Sequence, residues 1–381
     1  MIYFDNAATT FPKPEETVRA MNAAMRCYGA NPGRSGHRLS LVCAEKVYEC
    51  RERAARLFGC PQPENVVFTA NCTHSVNLVI NSLVPGGHAV ISDIEHNAVL
   101  RPVHHLSQTG AASYSVAETF ENDPDATVRS FAEKLRPDTR LIALTHASNV
   151  TGAVNPVRQI AAMAHERGIP VMVDAAQSAG VLPIDMRGDN IDFLCVPGHK
   201  GLYGPMGTGM LMTARPELPD AMLRGGTGSS SLDYDQPDFL PDRLESGTLN
   251  TPGIIALSAG IGFVERTGIR RIHEYERALA EYIVRELARL PEVELYGADR
   301  LQHGRLPVIS FNLKDFSGEK TASLLSGLGI AARGGYQCAP LAHKKLGTLG
   351  RGVCRLSIGV FNSKNQAGEL VLAIKKLISS S

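Results

Sequence analysis

One lysine stands in a setting suited to covalent chemistry. In the stretch DFLCVPGHKGLYGPMGTGML, an apolar run at 193–196 leads into Pro197, His199 and Lys200, followed by closely spaced glycines and prolines and a second apolar run at 210–212. Both runs predict short buried strands. Glycine permits tight turns and the close approach of another group, so a lysine held there is a candidate Schiff-base amine. The plain alternative is a Gly-rich hairpin with a solvated lysine at its tip. Four other strand ends carry polar residues. Asp174 closes the apolar run VMVD and is either an anion facing a ligand or an N-cap for the next segment. Gln177 is correspondingly an oriented donor or the cap's reciprocal partner. Asn149, in HASNVTG, is a ligand donor or simple turn chemistry. His96, in SDIEHNAV, follows another strand, and a lone histidine is more often structural than catalytic. In FTANCTHSVN the N–H groups of Cys72 and Thr73 fall at a helix start, where anions bind.

The set says more than its members. An aromatic ring bearing a phosphate, a phenolic oxygen and a ring nitrogen engages all five strand ends, and pyridoxal phosphate has those features.

The elements that position these residues follow from the hydrophobic pattern. Strands are predicted at 66–69, 89–93, 141–145, 171–174, 193–196 and 210–212, alternating with helices at 75–83, 99–107, 128–135 and 157–167. That rhythm argues for an α/β fold with a mainly parallel sheet, whose ligands bind at the carboxyl ends of the strands. Beyond loops at 224–249 the pattern changes. Helices at 251–267 and 269–290 precede strands at 293–296 and 307–313, a helix at 319–328, strands at 330–333 and 354–358, and a last helix at 366–378. We read a segment 1–14 packing with the small domain, a large domain 15–255, and a small α+β domain 256–381.

Bulk properties exclude several classes. The 381 residues are 44% apolar and 20% charged with net charge +1, which gives no electrostatic case for nucleic acid or an anionic membrane. No apolar run is long enough to span a bilayer. The opening MIYFDNAATTFPKP lacks the basic and apolar regions of a signal peptide, so a cytoplasmic location is expected. The eight cysteines show no C-x-x-C pair and the 12 histidines no ligand spacing, so neither a metal nor a disulfide framework is expected.

Taken in order, DNAATT, IEHNAV, SNVTG, VDAAQ, GHKGLYGPMGTG, LESGTLNTPG and RGGYQCAP…VCRLSIGVFNS resemble the class V aminotransferase-fold enzymes. More narrowly they resemble the cysteine desulfurase and selenocysteine lyase family, group II. The resemblance spans nearly the whole chain. It implies the fold type I of pyridoxal phosphate enzymes, with a mainly parallel seven-stranded sheet in the large domain and a smaller α+β C-terminal domain. It implies a homodimer that converts L-cysteine, or L-selenocysteine, to L-alanine and hands the sulfur to an acceptor protein. By the same resemblance Lys200 carries the cofactor and later moves the Cα proton, Asp174 pairs with the ring nitrogen, and His96 stacks on the ring. Gln177 and Asn149 lie near the phenolic oxygen and the substrate. Cys72, Thr73 and His199 line the phosphate, and Thr248 reaches the phosphate of the partner subunit. Arg355 takes the substrate carboxylate, for which its planar fork is suited, Cys338 takes the sulfur as a persulfide, and His37 lies near the substrate. Arg333 adds positive charge beside the nucleophile and substrate.

The sequence departs from the family pattern at three places. Pro197 stands where a phosphate-binding serine is usual, and proline has neither N–H nor hydroxyl, so one phosphate contact is expected to be missing. Cys72 replaces a Thr or Ala, which leaves its backbone as the contact. Tyr336–Gln337 precede the cysteine where group II members often carry two histidines. The short gap from Cys338 to Arg355 fits the ordered loop of group II. Selenocysteine lyase, or another class V aminotransferase or lyase, is the alternative enzyme. A sulfur-assembly scaffold or cofactor-binding regulator is the non-enzymatic one.

Overall fold

The computed structural model of the chain describes residues 1–32, 36–297 and 305–379. In chain order its strands are β1 (Ile2–Tyr3), β2 (Val66–Thr69), β3 (His88–Ser92), β4 (Ser113–Ala117), β5 (Thr139–Thr145), β6 (Val171–Asp174), β7 (Phe193–Pro197), β8 (Gly209–Thr213), β9 (Val293–Tyr296), β10 (Val308–Leu313), β11 (Ile330–Ala331) and β12 (Cys354–Ser357). Seven form one sheet in the order β2-β8-β7-β6-β5-β3-β4, with β8 alone antiparallel to its neighbours. The expected seven-stranded, mainly parallel sheet is therefore present. Strands β2, β3, β6, β7 and β8 are buried along their whole length. Strands covered on both faces read as continuous apolar runs, and these do. Strand β4 is a half-buried edge strand of sequence SYSVA, and no apolar run marks it.

Two loops carry the site because of how they pack. The turn after β6 and the turn after β7 lie back to back. Gly180 has φ 82°, and a Cβ there would collide with the Gly201 carbonyl; a Cβ on Gly201 would collide with that of Ala179. Only glycines at 180 and 201 let the segments at Ala179–Gly180 and Gly201 come this close.

The C-terminal part builds a second core around an antiparallel sheet, β12-β10-β9. Phe311, Leu325, Leu356 and Ile374 fill it together with Phe4. The chain start belongs to this core, because β1 pairs in parallel with β11 through Ile2 and Ile330. Residue 255, where the domain boundary was expected, lies inside the helix Thr251–Thr267. That helix packs on Glu15–Cys27 and Arg38–Phe58 of the large domain and ends at Gly268. Residue 255 thus falls within a helix that packs on the large domain.

Glu276, on the helix Ile269–Leu287, is 2% exposed and faces a small interdomain cavity beside Tyr203. Burial raises its pKa from 4.5 to about 8, opposed by a hydrogen bond from the Val360 N–H. The folded chain thus keeps a proton that the unfolded chain has released, so this group's stability is full below pH 4.5 and declines as the pH rises towards 8. Glu276→Gln is expected to leave the melting temperature unchanged below pH 4.5 and to raise it above pH 8. The gain there is on the order of 4 kcal/mol. Thermal melts across this range check it; equal melting temperatures at both ends contradict it.

Candidate active site

A cavity of about 280 Å³ opens at the carboxyl ends of the central strands, between the large domain, the N-terminal segment and the loop 333–338. Cys72, Thr73, His96, Asn149, Asp174, Gln177, His199, Lys200, Arg333, Cys338 and Arg355 all line it. Residues separated by more than 260 positions thus converge on one space.

Lys200 follows β7 and is half-buried. Burial pushes its amine below the usual value, while Asp174 and Cys72 pull the other way. The lysine is therefore not the solvated tip of a hairpin. Asp174, at the end of β6, is 1% exposed. Its Oδ1 accepts from the Ala176 N–H at 2.8 Å and from Cys72 Sγ at 3.3 Å, which leaves Oδ2 for the cavity. No helix follows Asp174, so it is not a helix cap. Gln177 instead donates through Nε2 to the Ala7 carbonyl at 3.1 Å.

The helices after β2 and β3 turn their N-termini towards the cavity. Cys72–Leu83 starts at Cys72 with Asn71 as N-cap, so the first N–H groups, those of Cys72 and Thr73, face the cavity as an anion site. His96 caps Asn97–Gln108. Its Nδ1 accepts from the Ala98 N–H at 3.0 Å, which puts the ring proton on Nε2. Burial lowers the His96 pKa, and burial with Lys200 and Lys13 holds His199 down to about 4. His199 is accordingly neutral at pH 7, and its Nδ1 is buried with no partner among the described residues. Pro197 also lines the cavity and offers it no hydrogen-bond donor.

Arg355 comes from β12 and is 3% exposed. Its Nη2 donates to Asp5 Oδ1 at 2.8 Å and its Nη1 to the Asn149 carbonyl at 3.0 Å. Its Nε is buried without a partner among the described residues. Arg333 pairs with Arg355 through the backbone. Asn149 is neither a bare turn residue nor wholly free for a ligand, since its Nδ2 donates to the Gln337 carbonyl at 2.6 Å. Cys338 is exposed, and its carbonyl accepts from the Asn97 N–H at 2.7 Å.

Two expected residues lie outside this cavity. His37 is the N-cap of Arg38–Phe58, and its Nδ1 accepts from the Ser40 N–H. Its loop includes residues 33–35, outside the described residues. Thr248 lies on a separate surface with Gly207, Leu244 and Leu249, away from the cavity of its own chain.

The structure also brings in residues that the sequence reading did not assign. Lys13 donates to the His199 carbonyl at 2.6 Å and to Thr10 Oγ1 at 2.8 Å, and Thr10 Oγ1 donates to the Lys200 carbonyl. The N-terminal segment thereby holds the lysine backbone, Gln177 and Arg355 together. Glu95, fully buried, accepts from the Thr145 N–H and from Ser92, tying the ends of β5 and β3 beside His96. Burial raises its pKa to about 8. A charged residue inside DNAATT and an acid beside His96 were the available signals for Asp5 and Glu95; Lys13 had none.

This donor set fits pyridoxal phosphate. A half-buried amine with no ion pair among the described residues, a carboxylate with one oxygen committed, a helix N-terminus and an unpartnered histidine nitrogen answer the cofactor's aldehyde, ring nitrogen and phosphate.

The comparisons with known proteins agree. The aminotransferase class V family model matches residues 2–370, and the chain belongs to that family. Curated relatives include cysteine desulfurases. The cysteine desulfurase of Cronobacter sakazakii is 33% identical over 99% of this chain and 93% of its own length. A probable cysteine desulfurase of Methanothermobacter thermautotrophicus is 35% identical over 96% and 92%. The apo structure of the cysteine desulfurase from Thermococcus onnurineus NA1 superposes with a TM-score of 0.92 at 32% identity, covering 100% of this chain and 95% of that one. Class V enzymes of this branch are generally dependent on pyridoxal phosphate.

Proposed function

We propose that the chain is a pyridoxal phosphate-dependent cysteine desulfurase that converts L-cysteine to L-alanine and takes the sulfur on Cys338 as a persulfide. The observation that carries this reading is the convergence of Lys200, Asp174, Arg355 and an exposed Cys338 on one cavity. When bound, the cofactor supplies an electron sink for the bonds at the substrate Cα and Cβ. Lys200 and Asp174 are placed to hold it, and the neutral amine favoured by burial suits Lys200 to attack an aldehyde and to take up the Cα proton. Arg355, fixed by Asp5 and Asn149, orients the substrate carboxylate, with Arg333 beside it. Cys338 attacks the substrate Sγ. The S–S bond forms as the Cβ–S bond breaks, and the carbon fragment leaves as alanine after gaining a proton at Cβ and recovering one at Cα.

The exposed thiol suits delivery of the persulfide to a sulfur-acceptor protein. We further propose a homodimer. Leu232 and Tyr234 are 96% and 107% exposed in the segment leading to Thr248, which faces away from its own cavity. Light scattering that reads a monomer would overturn the dimer. For the activity, alanine and sulfide should form in equal amounts from L-cysteine with a reducing thiol present. Pyruvate in place of alanine would mean an elimination enzyme.

A further inference from the structure

The loop that presents Cys338 is held in an improbable backbone conformation. Gln337 and Cys338, neither of them glycine, have φ 44° and 56°. Such a conformation is disfavoured for a residue with a Cβ and persists only where its surroundings impose it. The surroundings here are specific. Gln337 is 6% exposed, and its Nε2 donates to the carbonyls of Val353 at 3.0 Å and Arg333 at 3.3 Å. Its Oε1 lies 3.1 Å from His343 Nε2, and His343 Nδ1 lies 2.7 Å from Thr348 Oγ1. An amide oxygen only accepts, so His343 Nε2 carries the proton and Nδ1 accepts from the Thr348 hydroxyl. His343 is fully buried, on the short helix Pro340–Lys345 that follows the cysteine. The Tyr336 ring meets it edge-on at 5.3 Å, and the Tyr336 hydroxyl donates to the Leu349 carbonyl at 2.7 Å. The Gln337 side chain is therefore engaged in a hydrogen-bonded chain that ends on His343 and Thr348, while Tyr336 packs edge-on against His343 and bonds Leu349.

We propose that His343, acting through Gln337, is a positioning residue for Cys338. The chain Thr348–His343–Gln337 saturates the Gln337 amide and fixes the left-handed turn. With the Asn149 bond to the Gln337 carbonyl and the Asn97 bond to the Cys338 carbonyl, it leaves the thiol as the loop's free reactive group. This inference rests on the desulfurase reading for its kinetic arm only, because the reactivity of Cys338 towards an alkylating agent is measurable without turnover.

The test is His343→Ala beside His343→Gln, whose amide can again donate to Gln337 Oε1. In His343→Ala, kcat for alanine formation should fall roughly 10- to 100-fold, as small misplacements of a reacting group do, with KM for L-cysteine little changed. Iodoacetamide labelling of Cys338, read on its peptide by mass spectrometry, should accelerate several-fold as the loop loosens. The buried Cys50 and Cys195 should stay unlabelled, and the visible band of the cofactor-loaded protein should persist. His343→Gln should bring both kcat and the labelling rate most of the way back to wild type. Labelling and kcat within about two-fold of wild type in His343→Ala would overturn the proposal. So would labelling of Cys50 and Cys195 along with Cys338, which would make His343 a support of the whole fold. If the wild type makes no alanine, the desulfurase reading fails while the labelling arm still decides the positioning role.

Discussion

Replacing Lys200 by alanine is expected to remove the visible absorption of the cofactor-loaded protein and to lower alanine formation by at least roughly 10³-fold. Two features argue for an effect of this size. Lys200 is the one lysine among the described residues that line the cavity, so none of them offers a second lysine amine in its place. Its backbone is held by Thr10 and its flank by Lys13, so the alanine variant keeps the surrounding loop. Lys200→Arg keeps the charge but not the free amine and should lose as much, which separates covalent attachment from electrostatics. Absorption spectra and alanine assays read both variants. A variant that keeps its visible band would place the covalent link elsewhere.

Cys338→Ala is expected to act differently. The visible band stays, L-cysteine still binds, and sulfur transfer falls by at least roughly 10²-fold. The thiol is exposed and the loop is anchored through the Gln337 side chain and backbone carbonyls, none of which the substitution touches. The protein should therefore fold and load normally while failing at one step. Spectral titration with L-cysteine and a sulfide assay check this, and full sulfide release by the variant would assign the sulfur chemistry to another residue.

The legible parts of this molecule are those written in local sequence. The strand ends with Asp174, Asn149, His96 and Lys200 stand out because a fully buried parallel strand is a bounded apolar run, and the next polar residue sits at its carboxyl end. The bounds of β2 and β6 follow directly from such runs. The edge strand β4 lacks one, since Ser113 and Ser115 need no cover there. What stayed hidden depends on partners far away in the chain. Asp5 meets Arg355 across 350 positions, and nothing beside Asp5 announces an arginine. Lys13 is half-buried against the main-chain carbonyl of His199, a partner with no residue identity to read. The pair Tyr336–Gln337 was legible only as a departure from two histidines. The structure supplies its sense, because His343 enters from the following helix and bonds Gln337. Pro197, likewise flagged by sequence, lies where expected on the cavity wall, beside a histidine that keeps a nitrogen free.

The central claim is that one cavity brings substrate, cofactor and Cys338 together for sulfur transfer. A single turnover of the cofactor-loaded protein with L-cysteine, without reductant, tests it most directly when alanine is quantified and the Cys338 peptide is weighed. The account predicts one alanine per active chain and one added sulfur atom on Cys338. Pyruvate with free sulfide, or alanine with an unmodified Cys338, would contradict it.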